Sequence, residues 1–269
     1  MQQPSNTMQP TGRQKPPNAQ EDTQAVLLVG GMGTRLQPVL PSTPKALAPV
    51  GGRSFLELLI RHLQRQGIRR LVMCTGYLGD CIEREIGNGA CFGVDIKYSA
   101  ETIPMGTGGA IKLAQRCLDP GADFLVMNGD SFVEIDFGRV LDFHRQRRAL
   151  ATMAVRFVEN SSRYGTVQLG ADSRVVNFLE KTAIEGPGLI NAGVYVFNAA
   201  IFDHIDERPA SLERDLFPRF LDRGVYAYDR TGEFIDIGTP QDYARARNIS
   251  DRLYDAALLQ NRVTAGKGK

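Results

Sequence analysis

Residues 25–36 read Ala25-Val26-Leu27-Leu28-Val29-Gly30-Gly31-Met32-Gly33-Thr34-Arg35-Leu36, five apolar residues running directly into a glycine-rich turn. A short strand that is apolar at every position needs cover on both faces, which suits the middle of a parallel sheet. Glycines at its carboxyl end predict a turn where open α/β sheets receive ligands. They let a backbone approach a phosphate closely and turn several N–H groups toward it. Arg35 adds a forked cation for phosphate oxygens, and Lys45, in Pro44-Lys45, adds a compact charge. The spacing is neither GxGxxG nor GxxxxGK[ST], so the dinucleotide-fold and P-loop readings both fail.

Downstream, the same rhythm repeats. Ser54 is a helix cap for residues 55–66, which carry apolar residues at helical spacing and stop at Gly67. Residues 71–75 form a second apolar strand, 77–86 a helix, 94–98 an alternating strand and 108–117 a helix opened by glycine. Residues 123–128 form a buried strand that delivers Gly129-Asp130 at its end. Strand and helix in alternation predict right-handed crossovers and a doubly wound sheet. After Ala149 the pattern changes: 151–158, 164–169, 175–180 and 192–197 read as strands with few helices between them, which adds antiparallel pairing. Helical segments return over 211–223 and 239–258. The expected fold is a single-domain α/β, doubly wound mixed sheet over 24–258, with a first half (24–149) and a second half (150–258). Residues 1–23, rich in Pro, Gln, Asn and Thr, cannot bury enough surface to offset their ordering entropy and are expected to be a disordered extension. Residues 259–269 are expected to fray.

Composition narrows the function. A net charge of +2 over 269 residues gives no reason to invoke nucleic acid, so an anionic substrate must be held by local charge. Arg145, Arg147 and Arg148 read as the solvated end of a helix. Cys74, Cys81, Cys91 and Cys117 show no CxxC pair and no Cys/His ligand spacing, so reduced thiols are expected. His62, His144 and His204 sit in no motif, and no catalytic histidine is assigned. The chain has neither the roughly 20-residue apolar run of a membrane span nor a signal-peptide core, so a cytoplasmic location is expected.

The segment GGMGTRLQPVLPSTPKALAPVGG, residues 30–52, resembles the signature GGxGTRLxPxT…PKxLxPV of the sugar nucleotidyltransferases, and the likeness extends from about 24 to 250. It implies a Rossmann-like fold of the nucleotide-diphospho-sugar transferase type, with a nucleotide-binding half (24–149) and a sugar-phosphate-binding half (150–258). It also implies transfer of a nucleotidyl group from a nucleoside triphosphate to a sugar 1-phosphate, with release of pyrophosphate. Mg²⁺ would be held by Asp130 and by Asp236 of the segment DIGTP; Asp130 alone could equally mark a turn, and Thr239 and Pro240 are also accounted for as N-cap and N1 of a helix. Arg35, Lys45, Asp130 and Asp236 would carry the catalysis. Leu28, Gly30, Gly31, Gly33, Thr34, Arg35, Gly76, Glu101, Gly106, Thr107, Gly108, Asn128 and Gly129 would bind the nucleotide. Tyr164, Gly165, Glu180, Lys181 and Asn191 would bind the sugar phosphate. No protein nucleophile is expected, because positioning and charge neutralisation carry such a transfer.

The segments ETIPMGTGGAI, LEKT and NAGVYVF are most similar to D-glycero-D-manno-heptose 1-phosphate guanylyltransferases of bacterial surface polysaccharide pathways (capsule, lipopolysaccharide, S-layer). Partners implied are GTP and the heptose phosphate, with neither nucleic acid nor membrane. Mannose 1-phosphate guanylyl transfer and uridylyl transfer to a hexose or muramic acid 1-phosphate remain open. The larger mannose enzymes carry a C-terminal β-helix or cupin-like domain, for which this chain has no room. A catalytically dead, nucleotide-binding regulatory subunit would have lost Arg35, Lys45 or one aspartate, and all four are present. Monomer and homodimer both stay open.

Overall fold

The computed structural model describes residues 20, 22–180 and 186–259. The expected extension before residue 20, the tail past 259 and Lys181 lie outside the described residues. Thirteen strands and seven α-helices are found among the described residues. The first part contains β1 (Gln24–Leu28), β2 (Pro49–Val50), β3 (Arg53–Ser54), α1 (Phe55–Arg65), β4 (Arg70–Thr75), α2 (Gly79–Ile86), β5 (Asp95–Ala100), α3 (Gly106–Ala114) and β6 (Phe124–Asn128). There follow β7 (Ser131–Val133), α4 (Phe137–Arg147), β8 (Ala151–Val158), β9 (Thr166–Leu169), β10 (Val175–Leu179) and β11 (Gly188–Phe197). The last part holds α5 (Phe217–Phe220), β12 (Val225–Tyr228), β13 (Phe234–Asp236), α6 (Pro240–Asn248) and α7 (Ser250–Leu259).

A nine-stranded mixed sheet runs in the order β10-β9-β11-β6-β1-β4-β5, with β8 pairing β11 and β12 pairing β8. β1 lies between β6 and β4, parallel to both, as its uniformly apolar sequence predicts. Its two faces feed different cores. Leu27, Met73 and Met127 stand side by side and pack with the buried face of α1. Val26, Val72 and Val126 point the other way, into a core shared with Ile111 of α3 and Phe217 of α5. This two-sided cover gives a three-layer α/β arrangement. β11 then runs antiparallel to β6, so the parallel ladder passes into antiparallel sheet at that seam.

The local signals at helix starts behave as read. Ser54 caps α1, its Oγ accepting from the Glu57 amide at 3.3 Å. Thr239 caps α6, with Pro240 at the first helical position. All four cysteines are free thiols. No helix among the described residues is long and apolar enough to cross a membrane.

Three expectations need correction, and two strands went unread. The helix read over 77–86 begins at Gly79, because Leu78 adopts a left-handed conformation that cannot continue a helix. The segment 211–223 is a wide π turn (Leu212–Leu216), one α turn and a 3-10 turn (Leu221–Arg223), with Pro218 interrupting regular pairing. The helix read over 239–258 breaks at Ile249, which lets α6 cover β13 while α7 swings onto α1. Short strands β7 and β13 escape period-2 reading because three residues carry too little pattern.

Candidate active site

The carboxyl ends of β1, β4 and β6 open onto a cavity of about 830 Å³. The end of β1, with Leu28, and the glycine loop after it, with Gly30, Gly31, Gly33, Thr34 and Arg35, form one wall. Gly33 has φ +59°, and a side chain there would stand 3.0 Å from Lys45 Cβ. The loop therefore wraps Lys45 at a distance that only glycine permits. Lys45 Nζ donates to Asp130 Oδ2 at 2.6 Å, with the lysine side chain 11% exposed and the aspartate 39%. Arg35 is exposed, lines the same cavity and has no side-chain ion pair among the described residues.

Asp130 and Asp236 meet through backbone. β7 and β13 pair antiparallel with Ser131 opposite Asp236, and the Ile237 amide donates to the Asp130 carbonyl at 2.9 Å. Burial pushes the Asp236 carboxyl up to about 6, and the negative charge of Asp130 adds to that rise while Lys45 opposes it. The Gly238 amide donates to Asp236 Oδ1. Lys45 is thus ion-paired with Asp130, and its charge also acts on the neighbouring Asp236. Among the described residues no set of three or more His, Cys, Asp or Glu side chains is placed to hold a metal ion. A cation here would be held by this carboxylate pair and by phosphate oxygens, the habit of Mg²⁺.

The opposite wall is built from α3 and the segment that packs on it. Gly106 and Thr107 line the cavity, whereas Gly108 sits behind the wall, where the Ala210 carbonyl accepts its amide at 2.8 Å. A side chain at Gly106, whose φ is +68°, would meet that same carbonyl at 2.6 Å. The glycines of this segment are therefore required by packing against Ala210 as well as by any ligand. Glu101 lines the cavity, and its Oε2 accepts from the Met105 amide at 2.9 Å. Burial raises its pKa, an effect that this hydrogen bond opposes. Gly76 lies behind Glu101: a side chain there would stand 2.5 Å from Glu101 Oε1.

Asn191 enters the cavity from β11. The ladder with β8 shifts register between Asn191 and Tyr195, a bulge in which Gly193 takes φ +74°. Such a bulge re-aims side chains beside a site. Tyr164, Gly165, Glu180, Asn128 and Gly129 complete the predicted residues that line the space. A side chain at Gly165 would stand 2.8 Å from Glu180 Oε2, so this turn seats the glutamate.

Several lining residues carry no motif that would have exposed them: Cys74, Arg163, Ser211, Glu213 and Arg214. Arg163 pairs with Asp242 of α6, tying the turn before Tyr164 to the segment that follows Asp236. Its only sequence signal is adjacency to Tyr164-Gly165. Cys74 donates to the Ala110 carbonyl at 3.5 Å, and burial pushes its thiol up, which removes it as a nucleophile at neutral pH.

The profile of the family described as nucleotidyl transferase matches residues 24–251. D-glycero-alpha-D-manno-heptose 1-phosphate guanylyltransferase of Aneurinibacillus thermoaerophilus is 38% identical over 227 residues, covering 83% of this chain and 96% of its own. Mannose-1-phosphate guanylyltransferase of Mycobacterium tuberculosis is also 38% identical, over 232 residues, covering 84% of this chain. The chain spans only 64% of that protein's length, and 60% of the mannose-1-phosphate guanylyltransferase catalytic subunit beta of Drosophila pseudoobscura pseudoobscura. The crystal structure of HddC from Yersinia pseudotuberculosis complexed with GMP-PN superposes with a TM-score of 0.74 at 30% identity, covering 84% of this chain and 98% of that one.

Proposed function

The chain belongs to the nucleotidyl transferase family, and from that premise we propose that it transfers the guanylyl group of GTP to a sugar 1-phosphate, giving a GDP-sugar and pyrophosphate. The observation that carries this reading is the convergence of Arg35, Lys45, Asp130 and Asp236 on one cavity at the carboxyl edge of the sheet. The favoured acceptor is D-glycero-α-D-manno-heptose 1-phosphate, since the match to that relative takes in 96% of its length at 38% identity. The nucleotide bound in the related HddC structure supports the placement of GTP. This reading puts the protein in the cytoplasm, supplying activated sugar for a surface polysaccharide.

In the reaction a non-bridging oxygen of the sugar 1-phosphate attacks the α-phosphorus. The bond from that phosphorus to the α,β-bridging oxygen breaks, and the electron pair leaves with pyrophosphate. Arg35 and Lys45 neutralise the triphosphate, and the glycine-loop amides hold it in line. Glu101, Gly106 and Thr107 border the base. Tyr164, Gly165, Glu180 and Asn191 hold the sugar, with Lys181 on its phosphate. Asp130 and Asp236 are the residues that would hold Mg²⁺, and their mutual crowding suits a hard dication. Bound there, it would neutralise the oxygens around the reacting phosphorus.

The test is pyrophosphate release across GTP, UTP, CTP and dTTP, each combined with heptose, mannose and other sugar 1-phosphates. GTP with the heptose phosphate is expected to give the highest kcat/KM. Release with no combination would overturn the enzymatic reading, and a preference for another triphosphate would overturn the guanylyl assignment. Mannose 1-phosphate is the second reading, favoured by an equal identity to the mycobacterial enzyme, and the same panel decides between the two.

A further inference from the structure

A continuous set of side-chain hydrogen bonds crosses the cavity wall from α3 to β11, and Glu213 stands at its centre. Thr107 Oγ1 accepts from the Leu212 amide at 2.7 Å, so its one hydrogen is free to go to Glu213 Oε2, 2.8 Å away. Ser211 Oγ likewise accepts from the Arg214 amide at 3.1 Å and donates to the same Oε2 at 3.1 Å. The other carboxylate oxygen, Oε1, faces the Tyr195 hydroxyl at 3.5 Å. That hydroxyl accepts from Asn191 Nδ2 at 2.6 Å, while Asn191 Oδ1 accepts from the Gly193 amide at 3.0 Å.

Each donor in this chain has one direction open to it. Thr107, Ser211 and Tyr195 all aim their hydrogens at the two carboxylate oxygens of Glu213, which accept all three. Tyr195 is fully buried, and burial raises its phenol pKa well above the ordinary value, with the charge of Glu213 adding to the rise; it stays a neutral donor. The Asn191 amide is then fixed in orientation, since a flip would break both the Tyr195 and the Gly193 hydrogen bonds. What remains to Asn191 is one N–H and one carbonyl lone pair, a combination suited to a hydroxyl that both accepts and donates.

We infer that Glu213 is a positioning residue that locks Thr107 on the base side and Asn191 on the sugar side into one hydrogen-bonded unit. Glu213 accepts from Thr107 on one wall and from Tyr195 on the other, so its carboxylate joins the two hydrogen-bonded sets. This inference rests on the reading that Thr107 borders the nucleotide and Asn191 the sugar. It assigns Tyr195 a part as well: the buried phenol sets the Asn191 amide without touching the substrate.

The test uses Tyr195→Phe, Thr107→Val and Glu213→Gln in the full chain. Steady-state KM is measured for each substrate separately, and GTP affinity is measured independently by calorimetry. Loss of one hydrogen bond to a charged group is expected to raise KM by about tenfold. For Tyr195→Phe that rise falls on the sugar 1-phosphate, with the GTP value unchanged within about twofold. Thr107→Val is expected to do the reverse, and calorimetry should show its GTP affinity weakened to match. Glu213→Gln, which keeps the shape but cannot accept from all three hydroxyls, should raise both. Glu213→Gln reads the inference even if Tyr195→Phe fails to fold. Unmoved KM values for both substrates in an otherwise active Glu213→Gln protein would overturn the inference alone. So would an equal rise for both substrates in Tyr195→Phe. A wild-type protein that turns over no sugar 1-phosphate would overturn the inference together with the activity on which it rests.

Discussion

Lys45 Nζ lies 2.6 Å from Asp130 Oδ2, joining the glycine loop to the end of β6 across 85 residues of chain. The pair sits beside Asp236, so the lysine offsets charge from two carboxylates. Lys45→Met should lower kcat/KM for pyrophosphate release by about 100-fold or more, the scale of losing a preorganised charge at a reacting phosphate. Lys45→Arg should not restore activity. The lysine is packed against Gly33, and a side chain at Gly238 would already stand 3.2 Å from Nζ and 3.4 Å from Arg35 Nη2. An arginine variant with more than half the wild-type rate would contradict this packing argument.

Asp236 makes stability and function pull in opposite directions. Its folded pKa, about 6, lies above the ordinary value of 3.8, so between these limits the folded state holds the proton more tightly than the unfolded state does. The contribution of Asp236 to the stability of the metal-free protein should therefore be lost as pH rises from about 4 to about 6, against the opposite slope from the buried histidines. Asp236→Asn removes this loss and should raise stability at pH 7 by on the order of 1–3 kcal/mol, while turnover collapses. The difference in urea stability between Asp236→Asn and the wild type, larger at pH 7 than at pH 4.5, checks the first part, and pyrophosphate release the second.

Gly193 holds the bulge that aims Asn191. At φ +74° a side chain is strained, and it would stand 2.6 Å from Ser131 Oγ and 2.9 Å from Asn128 Nδ2. Gly193→Ala is expected to destabilise the protein by about 2–4 kcal/mol. Equilibrium denaturation measures that cost, and a loss under 1 kcal/mol would mean that β11 accommodates the methyl by shifting.

His62 is a fully buried imidazole packed 4.9 Å from the Phe132 ring and 5.0 Å from Phe137. Burial lowers its pKa from 6.5 to about 4. The unfolded chain therefore takes up this proton first, and stability is lost as pH falls from about 6.5 toward 4. His62→Leu should flatten that decline by up to about 3 kcal/mol at pH 4. His144, also lowered to about 4 chiefly by burial, keeps part of the slope in the variant. An unchanged pH profile in His62→Leu would remove His62 from the account of acid sensitivity.

The parallel core was legible because its strands are apolar at every position and are bounded by glycines, caps and helical periods that act locally. Residues 25–36 marked both the central strand and the ligand edge for that reason. Ser54 and Thr239 behaved as caps because a side-chain oxygen reaches an amide three residues ahead wherever the chain turns into a helix. Asp130 and Asp236 were identified only as separate segments with a shared resemblance. Nothing within either segment says that they meet.

The sequence by itself determined the apolar parallel strands, the helix caps and the glycine turn after β1, since propensity, capping and turn geometry depend on near neighbours. Only the tertiary structure decided which distant groups share a space. The three-residue pairing of β7 with β13 brings the two aspartates together, and a register shift at Gly193 turns Asn191 inward. Glu213 was invisible for the same reason. Its partners lie 106 residues before it at Thr107 and 18 before it at Tyr195, and hydrogen bonds at such separations are set by packing, not by sequence spacing.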